Sequence, residues 1–336
     1  MIILSIGIAT YQRGELAKKR VDELIRADLP DFIEIYFIDN FSQDGSYEEL
    51  MTAAGNSKVS VYRNESNLGF AGNFVEIVRK AKSEFILWCS DEDQLIFENI
   101  IPLINFLKKK SPDIAVTDYY IKHQDYIETY RKNSQSLLVP EKYWSIAPHL
   151  PGMIFKAKVA KTILHDFENL KLEYPHISKY YPQFFLFFEL LPRRNCWFFN
   201  RPISMQVDFE DDLHPKTEGN FYWMLPSRWA QVKEIDSYLS KRINNTTSVI
   251  HKKILISMKI ASNIFIYDLI RSSIVNERPD LLTLFDHGAK ARVHSLGIFN
   301  ASLRVIKLMF LNPILAMKKL KKAAIQKIQI YKNLPR

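Results

Sequence analysis

What most constrains this chain is a rhythm in its first hundred residues. Short apolar runs of strand length alternate with segments whose apolar residues recur every three or four positions. "IILSIGIAT" (2–10), "EIYFIDN" (34–40), "KVSVYRN" (58–64) and "EFILWCS" (84–90) are the short runs. "ELAKKRVDELIRA" (15–27), "YEELMTAA" (47–54) and "AGNFVEIVRKAK" (71–82) lie between them. Apolar strands separated by helices of this length predict a parallel sheet covered on both faces. Ligands of such sheets gather beyond the carboxyl ends of the strands. The conspicuous polar residues all fall there: Thr10, Tyr11 and Arg13 after the first strand, Asp39 after the second, Asn67 and Gly69 after the third, and Asp91, Glu92 and Asp93 after the fourth.

The acidic trio raises a chemical question, because adjacent carboxylates repel and no Lys or Arg stands beside them in sequence. Hard divalent cations such as Mn²⁺ or Mg²⁺ take carboxylate oxygens and keep waters and phosphate oxygens as further ligands. In an extended segment Asp91 and Asp93 point one way and Glu92 the other. The plain alternative is a solvated turn, with Asp93 as N-cap of a helix over "QLIFENIIPLINFLKK" (94–109).

Beyond about residue 110 the rhythm loosens. "DIAVTDYYIK" (113–122) reads as a strand, and "PGMIFKAKVAKTIL" (151–164) as a strand or turn running into a helix. "YPQFFLFFELL" (181–191) reads as a buried helix opened by Pro182, and "FFNRPISMQVDF" (198–209) as a strand closing the sheet. From about 220 the pattern is helical. Three regions follow: 1–110, 111–219 and 220–336.

With 336 residues, 47% of them hydrophobic and 25% charged, the chain can bury a sizeable core and is not disordered. Its two cysteines, Cys89 and Cys196, can build neither a disulfide framework nor a thiolate zinc site, so a reducing compartment is expected. "MIILSIGIAT" lacks the basic flank and cleavage site of a signal peptide and reads as the first strand. "ILISMKIASNIFIYDLI" (254–270) is broken by Lys259 and Asp268, short of the roughly 18 apolar residues a membrane span needs.

The net charge of +9 is local. Residues 301–336 hold nine Lys and Arg and no acid, so residues 1–300 sum to zero (9 − 9). That is a neutral body with a basic tail, which argues against a nucleic-acid partner. After Pro313, Met317, Leu320, Ala324, Ile328 and Tyr331 recur at helical spacing with lysines between them. This basic amphipathic pattern predicts peripheral contact of residues 313–336 with an anionic membrane. The competing reading is a last helix packed on the body.

"LSIGIATYQRGE", "EIYFIDNFSQDGS", "RNESNLGFAGNF" and "EFILWCSDEDQL" resemble, in order and spacing, the nucleotide-binding half of family 2 glycosyltransferases. The resemblance covers about residues 2–100 and continues more loosely at "PGMIFKAKV". It implies the α/β GT-A fold, a Rossmann-like, mostly parallel sheet with helices on both faces, here followed by a C-terminal helical region. Residues 1–110 would then hold the nucleotide sugar and 111–219 the acceptor. Thr10, Tyr11 and Arg13 would line the nucleotide pocket, Arg13 near the diphosphate, and Asp39 would meet the base, typically uracil. Asn67 and Gly69 would admit the nucleotide to the backbone. Asp91 would contact ribose or metal, and Asp93 would ligate Mn²⁺ or Mg²⁺.

The implied activity is inverting transfer from a nucleotide-sugar donor to a glycan or lipid-linked glycan acceptor, in the cytoplasm at the inner face of the inner membrane. No Glu-Asp pair stands at the place on the acceptor side where the family carries its base. Asp166, Glu173, His176 and Glu189 are the candidates, with His176 and Glu173 preferred because "LEYPHISKYYPQ" opens a helix there. "DFEDDLHP" (208–215), with His214, reads as a solvated turn or a mobile loop. Without Gly-x-Gly-x-x-Gly in "GIATYQRGE", a dinucleotide-dependent oxidoreductase is disfavoured. A non-catalytic nucleotide-sugar-binding or scaffold subunit is the alternative.

Overall fold

The computed structural model describes residues 2–123, 126–132, 136–138, 149–207, 225–260 and 262. They belong to a compact unit, Met1–Ile266; a second unit, Tyr267–Arg336, lies outside the described residues, as do the tail 313–336 and the 208–215 cluster.

The first hundred residues fold as their rhythm predicts. Strands β1 (Leu4–Thr10), β2 (Ile33–Asp39), β3 (Val59–Arg63) and β4 (Phe85–Ser90) alternate with helices α1 (Gly14–Ala27), α2 (Ser46–Ala54) and α3 (Gly69–Lys80). All four strands are parallel, in the order β3-β2-β1-β4. Alternation along each strand feeds two cores. Ile35, Phe37, Phe85, Leu87 and Cys89 face α1, α2 and α4 (Ile100–Lys110). Tyr36, Ile38, Ile86 and Trp88 face α3 and the later helices. Gly7 in β1 lies so near Ile77 and Tyr36 that a Cβ there would collide with the Ile77 side chain.

The chain then departs from the helix expected over 94–109. Asp93–Leu95 is a short strand, β5, and α4 begins only at Ile100 after a 3-10 turn. Asp93 is therefore no N-cap: it pairs with Gln206, on a strand more than a hundred residues later. The sheet continues through β6 (Ile114–Lys122), β7 (Ile127–Arg131), β8 (Met153–Lys156) and β9 (Cys196–Gln206). Among the described residues it has nine strands, β3-β2-β1-β4-β8-β6-β9-β5, with β7 beside the far half of β6. Parallel β1–β4 and mixed β5–β9 thus share one sheet.

Between β8 and β9 lie α5 (Ala157–Ile163), α6 (Phe167–Glu173), α7 (Pro175–Tyr180) and α8 (Gln183–Leu190). Pro182 opens α8, every residue of which except Glu189 is buried. Such a helix is apolar all round because protein surrounds it. Phe184, Phe185, Phe187 and Phe188 are core. Helix α9 (Leu225–Asn245) and helical residues 249–260 pack on the same side. Cys89 and Cys196 are free and buried, and burial pushes both thiols up. No helix among the described residues is long and apolar enough to cross a membrane.

Candidate functional site

The chain runs outward from β1 to β2 to β3, then returns to place β4 on the other side of β1. The crevice at such a reversal is where ligands of open α/β sheets bind. Here the polar ends of β1, β2 and β4 meet. Thr10 ends β1, fully buried, and its hydroxyl donates to Asp91 Oδ2 at 2.8 Å. Ser90 donates to Asp91 Oδ1 at 3.1 Å. Arg13, from the loop after β1, lies 3.0 Å from Asp91 Oδ1 and 2.7 Å from Glu92 Oε1. The cation that the local sequence lacks is thus supplied from 78 residues away. Burial works against the charge on Arg13, but the two carboxylates outweigh it and hold the guanidinium above its ordinary value.

The trio does not form an extended Asp-x-Asp face. The chain turns at Asp91 and Glu92, so these two share Arg13, while Asp93 leaves in β5. Asp93 is buried, accepting the Ser90 N–H at 2.7 Å and the Tyr119 hydroxyl at 2.5 Å. Burial pushes its carboxyl up to about 7, against those two hydrogen bonds, and Glu92 and Asp91 add to the rise. Two carboxylates, Asp91 and Glu92, share one guanidinium, a set of hard oxygen donors with net negative charge that fits a divalent cation. Among the described residues no three His, Cys, Asp or Glu side chains form a ready cage. Mg²⁺-type sites rarely need one, since one or two carboxylates and substrate phosphates suffice.

At the end of β2, Asp39 is fully enclosed. Its Oδ2 accepts the Ser42 N–H at 3.0 Å and lies 3.5 Å from Arg63 Nε, while Oδ1 has no hydrogen-bond partner. An unpaired buried carboxylate oxygen is costly and rare. Arg63, opposite Asp39 in the β2–β3 register, is packed against the rings of Phe41 and Tyr47. Gln12 and Phe41, in the loops after β1 and β2, hold φ of 52° and 67°. Non-glycine residues in this left-handed region store strain that clusters at functional sites. Tyr11, between Thr10 and Gln12, is half-buried.

Asn67 and Gly69 belong to an amide mesh. Asn67 Oδ1 accepts from Asn40 Nδ2 and from the Gly69 N–H, both at 2.8 Å. Asn64 Nδ2 bridges Asn40 and Asn73, and Asn40 Oδ1 also takes the Leu68 N–H. Gly69, at φ 67°, opens α3 with empty space where a Cβ would stand.

The acid–base candidates lie elsewhere. His176 Nδ1 is 2.7 Å from Glu234 Oε1 of α9, and Glu234 also takes the N–H groups of His176 and Ile177. Glu173 meets Lys241, which with Tyr174 holds its carboxyl below the ordinary range. Glu189 meets Tyr238 and Arg242, and Asp166 meets Asn169. None of the four has a hydrogen bond or ion pair to Arg13, Asp91 or Asp93 among the described residues. Arg63, Tyr119, Gln206 and Glu234 were not singled out in the sequence. Only Arg63 carried a signal, standing at the carboxyl end of a parallel strand as Asp39 does.

No curated protein matches this chain. Among solved structures, S. aureus TarS 1-349 in complex with UDP-GlcNAc aligns with a TM-score of 0.59 at 11% identity, over 84% of this chain and 76% of that one. S. aureus TarS aligns at 0.55 and 12%, over 83% of this chain and 45% of that one. TarS 1-349 in complex with UDP aligns at 0.51 and 12%, over 93% and 92%. At such identities the likeness is one of fold, and the fold is GT-A. The sequence model described as Glycosyl transferase family 2 matches residues 5–187, more than half of the chain and every strand from β1 to β8. The chain belongs to glycosyl transferase family 2.

Proposed function

We propose that this glycosyltransferase moves a sugar, with inversion, from a UDP-sugar to a hydroxyl of a glycan or lipid-linked glycan in cell-surface polysaccharide synthesis. The observation that carries the reading is the meeting of Thr10, Arg13 and Asp91 at the β1–β4 crevice, with the unpaired Asp39 oxygen one strand away. Asp39 accepts an imide N–H such as uracil offers. Arg13 sets a fixed positive charge against a diphosphate whose negative charge grows as the glycosidic bond breaks. Asp91, held by Thr10, receives the ribose hydroxyls. A divalent cation at the 91–93 turn adds charge neutralisation to the same leaving group. For the acceptor proton we assign His176, with Glu173 as the second candidate. Its support is Glu234, which fixes Nδ1 and so leaves Nε2 to act.

The test is calorimetric titration with UDP, GDP, CDP and TDP, each with and without Mn²⁺. UDP is expected to bind, and more tightly with Mn²⁺; failure of all four to bind would overturn the reading. Binding with neither transfer nor hydrolysis would favour the scaffold alternative.

Attachment to an anionic bilayer at the cytoplasmic face through residues 313–336 is part of the proposal, supported by nine basic residues and no acid over 301–336. Substituting Lys318, Lys319, Lys321 and Lys322 with Gln should release the protein from phosphatidylserine vesicles at low salt, as read by co-sedimentation. A wild type that fails to sediment with the vesicles removes this part alone.

A further inference from the structure

We propose that the end of the sheet opposite the crevice is a docking face for an anionic lipid bilayer, built from four basic segments that the fold brings together. The docking does not rest on the UDP-sugar reading of the crevice.

The segments are far apart in sequence. Helix α3 ends in Arg79 and Lys80, with Lys82 just beyond, and α4 ends in Lys108, Lys109 and Lys110. Lys156 closes β8, Lys158 and Lys161 follow in α5, and Arg193 and Arg194 stand in the turn before β9. Because β8 runs antiparallel to β4 and β6, and β9 parallel to β6, all four segments reach the amino ends of β1–β4. Hydrogen bonds join them there. Lys156 Nζ donates to Ser111 Oγ and Asn195 Nδ2 to Ser111 O, both at 2.8 Å. Lys161 Nζ donates to Ala81 O at 2.6 Å, and the Ala157 N–H to Glu84 O at 2.8 Å.

Residues 79–84, 108–113, 156–161 and 193–194 hold eleven Lys and Arg against Glu84 and Asp113, a net +9 (11 − 2). Residues 1–300 sum to zero, so the rest of that stretch carries −9 (0 − 9). A body neutral in total is thus polarised. Its cations are also left over: among the described residues only Arg79 and Lys82 of the eleven meet an acid, Glu76 and Glu34. The helix dipole accounts for cations at the carboxyl ends of α3 and α4. It does not account for Lys156 and Lys158, at the N-cap and in the first turn of α5, where a cation is disfavoured.

Eight of the eleven are lysines, point charges without the planar fork that singles out one carboxylate. Spread over four segments, they make a broad positive field, which suits a surface of many headgroups better than an acidic peptide. Half-buried Trp197, its ring 3.8 Å from Lys110 Nζ, is an aromatic of the kind found at the headgroup level. The crevice then stands at the far end of seven-residue strands, roughly 23 Å away at about 3.3 Å per residue, open to a donor from solution.

Lys109→Gln, Lys158→Gln, Arg193→Gln and Arg194→Gln, all at exposed positions, would be combined in one full-length chain. Lys18→Gln, Lys171→Gln, Lys252→Gln and Lys253→Gln, exposed but away from this face, would be combined in a second, so that net charge falls equally. Co-sedimentation with vesicles of phosphatidylserine and phosphatidylcholine at low salt reads the affinity, and thermal melting checks the fold. The first variant is expected to melt with the wild type and lose at least tenfold in vesicle affinity, the second to stay within about twofold. Equal losses in the two would mean that net charge alone acts, and would overturn the proposal, as would wild-type affinity in the first. Loss of poly-L-glutamate binding in the first, with vesicle binding intact, would give the face to an acidic protein instead. If the first variant melts lower, Arg193→Gln with Arg194→Gln decides. A wild type that does not sediment overturns this face and the tail contact together and leaves the UDP-sugar reading untouched.

Discussion

Arg13→Ala is expected to weaken UDP binding by about a hundredfold, the worth of two charge-assisted hydrogen bonds to phosphate at roughly 1.4 kcal/mol per decade. The same substitution leaves Asp91, buried beside Glu92, without its counter-charge. Removing one partner of a buried ion pair costs about 3 kcal/mol, so the variant should also melt several degrees lower. Arg13→Lys separates the two effects. It keeps the charge and, because a single nitrogen of Arg13 meets both carboxylates, much of the stability, but an ammonium lacks the further guanidinium N–H groups that a diphosphate would meet, so UDP affinity should fall between wild type and alanine. Calorimetry and thermal melting read the two quantities independently. Wild-type UDP affinity in Arg13→Ala would remove Arg13 from the site.

The other large effect lies in the fold. Arg131 ends β7 almost wholly buried, and its guanidinium donates to three carbonyls: Thr117 O at 2.8 Å, His149 O at 3.2 Å and Pro151 O at 2.6 Å. One side chain thus ties β6 to the segment entering β8, beside Gly152, whose φ of 74° marks the turn. Arg131→Met keeps most of the volume and removes every donor. Stranding three carbonyl oxygens should cost about 3–5 kcal/mol, in the range of a broken buried network. For a domain of this size that is a fall in melting temperature on the order of 10 °C. Because Arg131 also lies against Tyr119, the anchor of Asp93, UDP binding should weaken as well. A melting temperature within about 2 °C of wild type would show that water or a neighbour takes over these carbonyls.

The parts of this molecule that could be read in advance are those whose cause is local. Strands β1, β2 and β4 announce themselves because helices cover both faces and nearly every position is buried and apolar; β3, at the edge of the sheet, is only partly buried and shows a weaker signal. Thr10, Arg13, Asp39 and Asp91 were picked out because the carboxyl ends of parallel strands are where polar residues need a reason. What the sequence leaves hidden shares one origin, pairing over long sequence separation. "DQL" is indistinguishable from the start of a helix until β9 arrives to pair with it. The depth of Asp93 depends on Tyr119, 26 residues on, and the poise of Glu92 on Gln206, 114 residues on. The engagement of His176 depends on Glu234, 58 residues away. No periodicity or composition encodes such partners, because register decides them.

The two ends of the crevice are built from different kinds of force. Around Arg13 the order is ionic. Around Asn40, Asn64, Asn67 and Asn73 it is made of neutral amides that neither titrate nor draw counter-ions. Screening acts on charges and leaves amide hydrogen bonds largely untouched. The mesh therefore keeps its shape across salt and pH that alter the ionic cluster around Arg13. A nucleotide bound as proposed would meet a fixed frame at the mesh and a contact tuned by the ionic medium at Arg13.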